Sequence, residues 1–329
     1  MSSHSHPPRH DVLCIGNAIV DTLAQVPAQL ITTLNAEAGT MKLVDGPAMQ
    51  ELLSKVTVEA ECSGGSVANS AVVAARLGAK AAFIGKVARD EGGHVFTHDL
   101  KAQHVDFVGR AARHDHGEGT GRCMVMVTPD GQRTMFTYLG ISVRFDENDI
   151  PPETVADSGI VYLEGYLFDD PQAQKAFHRA AELAHEHGRQ VALTLSDSFC
   201  IERHRKAFQD FIRTGVDVLF ANDDEIKALY QVADLDDALA RLAKDVAIGA
   251  VTRGQQGAVV VEGSQRFDVP TTPVKAVDTT GAGDAFAGGF LAAFVQGKAL
   301  EACADLGNRA AGCIITHMGA RPGADFIKA

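Results

Sequence analysis

Asp278-Thr279-Thr280-Gly281-Ala282-Gly283-Asp284-Ala285-Phe286-Ala287-Gly288-Gly289 runs directly into an apolar helical stretch late in the chain. Glycines and small residues at Gly281, Ala282 and Gly283 let the backbone approach a ligand closely. A helix beginning here offers unpaired N–H groups and the positive end of its dipole to an anion. An acid, Asp284, sits at the first turn of that site. A carboxylate beside a bound phosphoryl group is electrostatically unfavourable unless it has a task, and the obvious task is to accept a proton from an attacking hydroxyl. The same letters also describe a glycine-rich loop capped by an acid.

Working outward, Asp11 to Gly16 and Ala81 to Val87 are short apolar runs that read as buried strands. The stretch from Ser66 to Leu77 reads as a helix stopped at Gly78, which makes a βαβ beginning. Strand patterns at 159–163, 190–195, 216–220 and 246–252 alternate with helical patterns at 171–187, 201–213, 223–230 and 235–244. The expected fold is α/β: a doubly wound, mostly parallel central sheet with helices on both faces. Two β-rich runs, 120–128 and 132–138, flank Pro129-Asp130-Gly131 and predict a hairpin. With the segment after Ile19 they predict a small antiparallel β lid, inserted over about 18–45 and 106–140 of a domain spanning 11–329. The polar segment 1–10 reads as a disordered tail without the apolar core of an export signal.

Composition narrows the function. A net charge of −12 over 329 residues, without a Lys/Arg run, argues against nucleic acid as a partner. Six scattered cysteines without a CxxC pair predict a reduced, cytoplasmic protein. No apolar run approaches a membrane span. There is no GxxxxGK[ST] and no GxSxG, and the third glycine of a dinucleotide fingerprint is missing. His185-Glu186-His187 and His114-Asp115-His116 lack the four-residue spacing of a helical zinc pair.

Three further junctions carry polar groups. Gly64-Gly65-Ser66-Val67-Ala68-Asn69 pairs two glycines with an asparagine one turn into a helix, either a ligand site or a helix start capped by Ser66. Gly16-Asn17-Ala18-Ile19-Val20-Asp21 follows the first strand, where open α/β sheets bind ligands, and the Asp21 carboxylate is able to accept from two vicinal hydroxyls. A turn aspartate explains the same position. Asn222-Asp223-Asp224-Glu225 suits either water-mediated Mg²⁺ or a capping box, and Thr252-Arg253-Gly254 with Gly257 is a nucleotide wall or a turn.

In order, GNAIVD, GGSVAN, NDDE, TRGQQG and DTTGAGDAFAGGF make the chain resemble ribokinase-type sugar kinases, the PfkB family, over roughly 11–321. GNAIVD and GGSVANS lean toward the adenosine kinase branch. The resemblance implies ATP-dependent phosphorylation of the 5′-hydroxyl of adenosine, with a free sugar such as ribose or fructose, or another nucleoside, as alternative substrates. A non-catalytic ligand-binding relative is the alternative outside enzymes. It makes Asp284 the base and the amides of Gly281, Ala282, Gly283 and Asp284 an anion hole. Asp21, Gly64, Gly65, Ser66 and Asn69 then hold the ribose, with Asn17 nearby and Ile19 against the base. Asn222 and Glu225 organise Mg²⁺ through water, and Thr252, Gly254, Gly257 and Asn308 line the ATP side. Arg133 closes over the phosphates, and Asp278 and Thr280 match a K⁺ site. Tyr166, Leu167 and Phe168 lie in the segment that contacts the purine. A lid of this kind fits a monomer or a homodimer.

Overall fold

The strand expected at the start of the chain forms as His10–Ile15, and its alternation decides the architecture. Val12 and Cys14 enter one apolar cluster while Leu13 and Ile15 enter another, so the strand is covered on both faces. The computed structural model describes residues 7–112, 117–323 and 326–327. The reading of His114-Asp115-His116 and that of the first six residues lie outside those. His10, assigned to a polar tail, belongs instead to the first strand, because its backbone pairs with Ser158, and its imidazole meets Asp106 at 3.1 Å.

His10–Ile15 runs parallel to Ala81–Ile84 on one side and Ser158–Glu164 on the other. Val105–Phe107 extends the sheet beyond the first neighbour. In the opposite direction come Gln190–Thr194, Val218–Asn222 and Ile248–Thr252, all parallel, then Ala258–Glu262 and Gln265–Val269, antiparallel. The direction of strand addition therefore reverses between His10–Ile15 and Ser158–Glu164, and a ligand crevice opens beyond the carboxyl ends of these two strands. Helices Ser66–Arg76, Glu91–Ala102, Ala282–Val295 and Leu300–Ile314 cover one face. Pro171–Glu186, Ser198–Gly215, Asp223–Tyr230 and Leu235–Asp245 cover the other.

A second sheet of five strands runs in the order Met41–Leu43, Arg133–Tyr138, Gly121–Val127, Ile19–Gln25 and Ala60–Gly64. It is mixed and not antiparallel as expected, since Ile19–Gln25 runs parallel to Gly121–Val127 and Met41–Leu43 parallel to Arg133–Tyr138, and its boundaries differ from the sequence expectation in two places. Ala60–Gly64 joins it, because this strand pairs antiparallel with Ile19–Gln25, and Val105–Phe107 leaves it for the large sheet. The strand at 60–64 escapes sequence reading because AECSG lacks the β-branched and aromatic residues that mark strands. One face of the small sheet packs Ala24, Val26, Met124, Met126 and Phe136 against Ile31, Met49 and Leu52 of its own two helices. The opposite face carries Ile19, Cys123 and Val125, and the register sets Asp21 directly between Cys62 and Cys123.

The Gly288-Gly289 pair has a packing role. A Cβ on Gly288 would meet the Ser70 carbonyl at 2.6 Å, and one on Gly289 would meet the Leu306 carbonyl at 2.9 Å. The central helix Ala282–Val295 is thereby drawn against Ser66–Arg76 and Leu300–Ile314 at once, which fixes the distance between its own N-terminus and that of Ser66–Arg76. Gly288→Val is expected to destabilise the protein by about 1–3 kcal/mol through overpacking and to lower turnover as the two N-termini separate. Urea denaturation and a steady-state assay read both effects, and an unchanged midpoint would show that the helices have room to spare.

Candidate active site

Asp284 is the third residue of its helix and does not cap it. The N-cap is Gly281, in the left-handed region at φ 76°, and no side chain closes the helix end. A Cβ at Gly281 would strike Ala320 at 2.4 Å, whereas one at Gly283 would point into open space. The result is an uncapped, glycine-lined helix N-terminus suited to an anion.

The Asp284 carboxylate turns toward the neighbouring helix. Ser66 Oγ donates to one oxygen at 2.6 Å and Asn69 Nδ2 to the other at 2.8 Å. Ser66 therefore does not cap its own helix, whose N-cap is Gly65 at φ 97°. Burial raises the Asp284 carboxyl above its usual range, opposed by those two hydrogen bonds and by the positive charge of Arg321. A proton acceptor oriented by two neutral donors and enclosed by protein is a workable general base.

The two glycines ahead of Ser66 are demanded by what lies against them. A Cβ on Gly65 would sit 2.3 Å from the Asn17 carbonyl, and one on Gly64 would sit 2.5 Å from the Asp21 carboxyl. Asp21 thus looks onto the same glycine loop that leads to Asn69 and Asp284. Burial raises the Asp21 carboxyl to about 6, moderated by Arg321 and Arg133 and reinforced by Asp284. Asn17 and Asn69 each have a buried side-chain oxygen with no partner among the described residues. Such orphaned acceptors around two carboxylates mark a place where hydroxyl donors would be welcome.

Two charged residues here had no assigned role in the sequence reading. Glu164, at the carboxyl end of its strand, accepts from Asn17 N at 3.3 Å, Asn17 Nδ2 at 2.7 Å and Val67 N at 3.2 Å. It is fully buried, and burial lifts its carboxyl to about 7 against those hydrogen bonds. Its position one residue before Gly165 at the end of an apolar run was the available signal. Arg321, in the segment after the last helix, reaches back to Ser63 and Ala68 on either flank of the glycine loop. Nothing local announces it, since its partners lie more than 250 residues away.

Of the three residues expected beside a purine, two are buried in the core. Leu167 and Phe168 are core, with Phe168 stacked on Phe208 at 4.0 Å. Tyr166 is 38% exposed, and its hydroxyl donates to the Ser196 carbonyl at 3.4 Å. Phe199, 73% exposed, stands on that same segment, which Cys200 Sγ ties to the Gly165 carbonyl at 3.3 Å. Ser196 has φ 72°, a costly conformation for a residue with a Cβ. Two exposed aromatic rings therefore stand on adjoining segments that follow the strands Ser158–Glu164 and Gln190–Thr194.

Arg133 is ion-paired with Asp278, which also accepts from Thr280 N at 3.0 Å and Gly319 N at 2.8 Å. Although burial opposes it, the hydrogen bonds from Gly319 and Thr280, with the Arg133 charge, hold the Asp278 carboxyl below its usual range. Asn222 and Glu225 form a reciprocal capping box: Asn222 N and Nδ2 donate to the Glu225 carboxylate at 2.9 and 2.8 Å, and Glu225 N donates to Asn222 Oδ1 at 2.8 Å. Thr252 Oγ1 lies 3.5 Å from the Ala221 carbonyl, and Asn308 Nδ2 donates to Val269 and Pro270 carbonyls. Gly254 and Gly257 have φ of 55° and 82° and turn the chain between antiparallel strands, where a Cβ on Gly257 would strike the Val269 carbonyl at 2.2 Å. Asn222 and Thr252 stand at the carboxyl ends of the next strands, and Glu225 is near enough to feel the charge of Asp284. Among the described residues no cluster of three or more His, Cys, Asp or Glu is arranged to hold a metal.

Comparison with known proteins gives this site a context. An adenosine kinase from Sinorhizobium meliloti is 45% identical and superposes with a TM-score of 0.86, over 95% of this chain and 96% of its own. A probable sugar kinase protein from Rhizobium etli CFN 42 is 44% identical, also with a TM-score of 0.86, over 96% of each chain. A ribokinase from Bacillus subtilis (strain 168) is 29% identical over 79% of this chain and 83% of its own length. The expected α/β kinase fold, with a large mostly parallel sheet and a second small one, is the fold of these structures. Residues 44–326 match the family described as pfkB family carbohydrate kinase, so this chain belongs to that family and is a kinase.

Proposed function

We propose that this kinase transfers the γ-phosphoryl group of ATP to the 5′-hydroxyl of adenosine. The observation that carries the reading is the Asp284 carboxylate, held by Ser66 and Asn69 beside an uncapped helix N-terminus and within electrostatic reach of Asp21. Asp21 would accept two hydrogen bonds from the ribose diol, with Asn17 and Asn69 offering their unpaired oxygens. Tyr166 and Phe199 supply aromatic faces for a purine, as a free pentose would not require. The high identity to the Sinorhizobium meliloti adenosine kinase supports the same substrate.

In the reaction the 5′ oxygen attacks the γ-phosphorus, the bond from that phosphorus to the β,γ-bridging oxygen breaks, and ADP leaves. The hydroxyl proton passes to Asp284. Amides of Gly281 to Asp284 stabilise charge gathering on the transferred group, and the work is mostly positioning and electrostatics. The small sheet, carrying Ile19, Cys123 and Val125 on its inner face, would cover the acceptor and exclude water.

Mg²⁺ fits this site only as an ion carried by the nucleotide phosphates, with Asn222 and Glu225 acting through water, since both Glu225 oxygens already accept from Asn222. Burial raises the Glu225 carboxyl to about 7, and a nearby cation would favour its ionised form. Mg²⁺ supplies charge neutralisation on the phosphates. Asp278 gives its charge to Arg133 and its remaining acceptor capacity to Thr280 N and Gly319 N, so it offers no free carboxylate to K⁺.

Asp284→Asn is expected to reduce kcat by about a thousandfold while nucleotide binding, measured by calorimetry, is retained; full turnover in a clean preparation would remove the base assignment. Asp21→Ala should raise the apparent KM for adenosine far more than that for ATP, and an equal rise in both would contradict the diol clamp. Because Asp21 must be ionised to accept from the diol and its carboxyl is raised to about 6, kcat/KM for the acceptor should fall as pH drops through about 6. In a coupled ADP-release assay across adenosine, inosine, guanosine, cytidine, ribose and fructose, adenosine should exceed the free sugars by roughly a hundredfold or more in kcat/KM. Faster turnover of ribose or fructose would overturn the substrate reading and leave the kinase assignment standing.

A further inference from the structure

Arg321 belongs to the short segment that follows Leu300–Ile314. Three contacts hold that segment in place. Gly319 N donates to Asp278 at 2.8 Å, Ala320 packs against Gly281, and Arg76 donates to the Gly323 carbonyl at 3.0 Å. Arg321 itself is spent entirely on the glycine loop. Its Nε donates to the Ser63 carbonyl at 2.8 Å, joined by one terminal nitrogen that also reaches Ser63 Oγ at 2.8 Å. The other terminal nitrogen donates to the Ala68 carbonyl at 3.1 Å. Ser63 precedes the Gly64-Gly65 pair and Ala68 follows it, so one planar guanidinium grips both flanks of the loop. Ser63 is secured from behind, because its N and Oγ donate to Asp99 at 2.8 and 2.6 Å.

The chemistry of this arrangement is unusual for a simple brace. Among the described residues, every hydrogen bond of the Arg321 side chain goes to a carbonyl or hydroxyl oxygen. An enclosed cation with only neutral partners is costly unless nearby negative charge offsets it. Asp21, Asp99 and Asp284 supply that charge around it. Arg321 is also the largest positive influence on the Asp21 carboxyl, ahead of Arg133. The groups facing Asp21 are Arg133 and Cys123 from the small sheet, Cys62 from its edge strand, Asp284 from the central helix, and Arg321.

We propose that Arg321 is a positioning residue of the acceptor site: it holds the Gly64-Gly65 loop in shape and provides the positive charge that keeps Asp21 a hydrogen-bond acceptor at neutral pH. The role rests on the reading of Asp21 as the group that receives the substrate's hydroxyls. It differs from that of a catalytic residue, since the guanidinium acts through Ser63, Ala68 and Asp21.

The test is a carboxyl titration of the full-length protein with ¹³C-labelled aspartate, the Asp21 signal being assigned by its loss in Asp21→Asn. In Arg321→Met the Asp21 midpoint should rise by about one pH unit, the size expected for removing one nearby charge. In Arg321→Lys the charge survives but the planar grip does not. There the midpoint should stay near that of the wild type while the acceptor KM rises several-fold and the KM for ATP is unchanged. Arg321→Gln, neutral but still able to donate to the Ser63 carbonyl, repeats the titration if the methionine variant does not fold. An unmoved Asp21 midpoint in the neutral variants, or an equal rise in the lysine variant, overturns the proposal. The titration needs no substrate, so its outcome is separate from that of the adenosine assay.

Discussion

The structure depends on one contact between two helix N-termini: the carboxylate of Asp284 receiving Ser66 and Asn69 from the helix beside it. A negative charge at the first turn of its own helix is favoured by that dipole, and Ser66 and Asn69 stand at the first turn of the neighbouring helix. The two N-termini therefore converge on one carboxylate, while Val67 N at the start of the Ser66–Arg76 helix is taken up by Glu164. Gly288, packed on Ser70, and Gly289, packed on the last helix, bring the helices close enough for this. The glycines of the central helix are thus as much a part of the site as the glycines of its loop.

Around that contact the protein balances charge with residues from distant parts of the chain. Asp21 comes from the small sheet, Asp284 from the large domain, Arg133 from the hairpin and Arg321 from the C-terminal segment. Glu164 adds a buried carboxylate that fastens Asn17 to the start of the Ser66–Arg76 helix. Burial would raise every one of these acids, and the differences among them follow from which donors and cations each receives. Asp278, beside Arg133 and two backbone amides, lies low; Asp21, with arginines nearby but much burial, lies near 6; Glu164, with amide donors alone, lies near 7.

Much of this was legible in the sequence. Strand alternation and stop signals located most elements of the large sheet, and the glycine-rich strings placed Asp284, Gly65 and Asn69 at the starts of two helices. Other readings needed the fold. The strand at Ala60–Gly64 carries a composition that no strand pattern favours, and only pairing with Ile19–Gln25 makes it one. Tyr166, Leu167 and Phe168 look alike in the sequence, yet packing buries Leu167 and stacks Phe168 on Phe208 while Tyr166 stays exposed. The Asn222 and Glu225 pair, readable as a metal site or a cap, is a capping box in this structure.

By itself the sequence determined the alternating α/β architecture, the glycine loops and the acid at a helix start, because these are local properties of periodicity, backbone freedom and capping chemistry. Tertiary structure alone decided which charges face one another. Arg321 meets Ser63 across more than 250 residues, Glu164 meets Asn17 across 147, and Arg133 meets Asp278 across 145. Such pairings leave no local trace, since electrostatic partnership depends on distance in space and on the water excluded between the groups, and both arise only when the two sheets and the C-terminal segment come together.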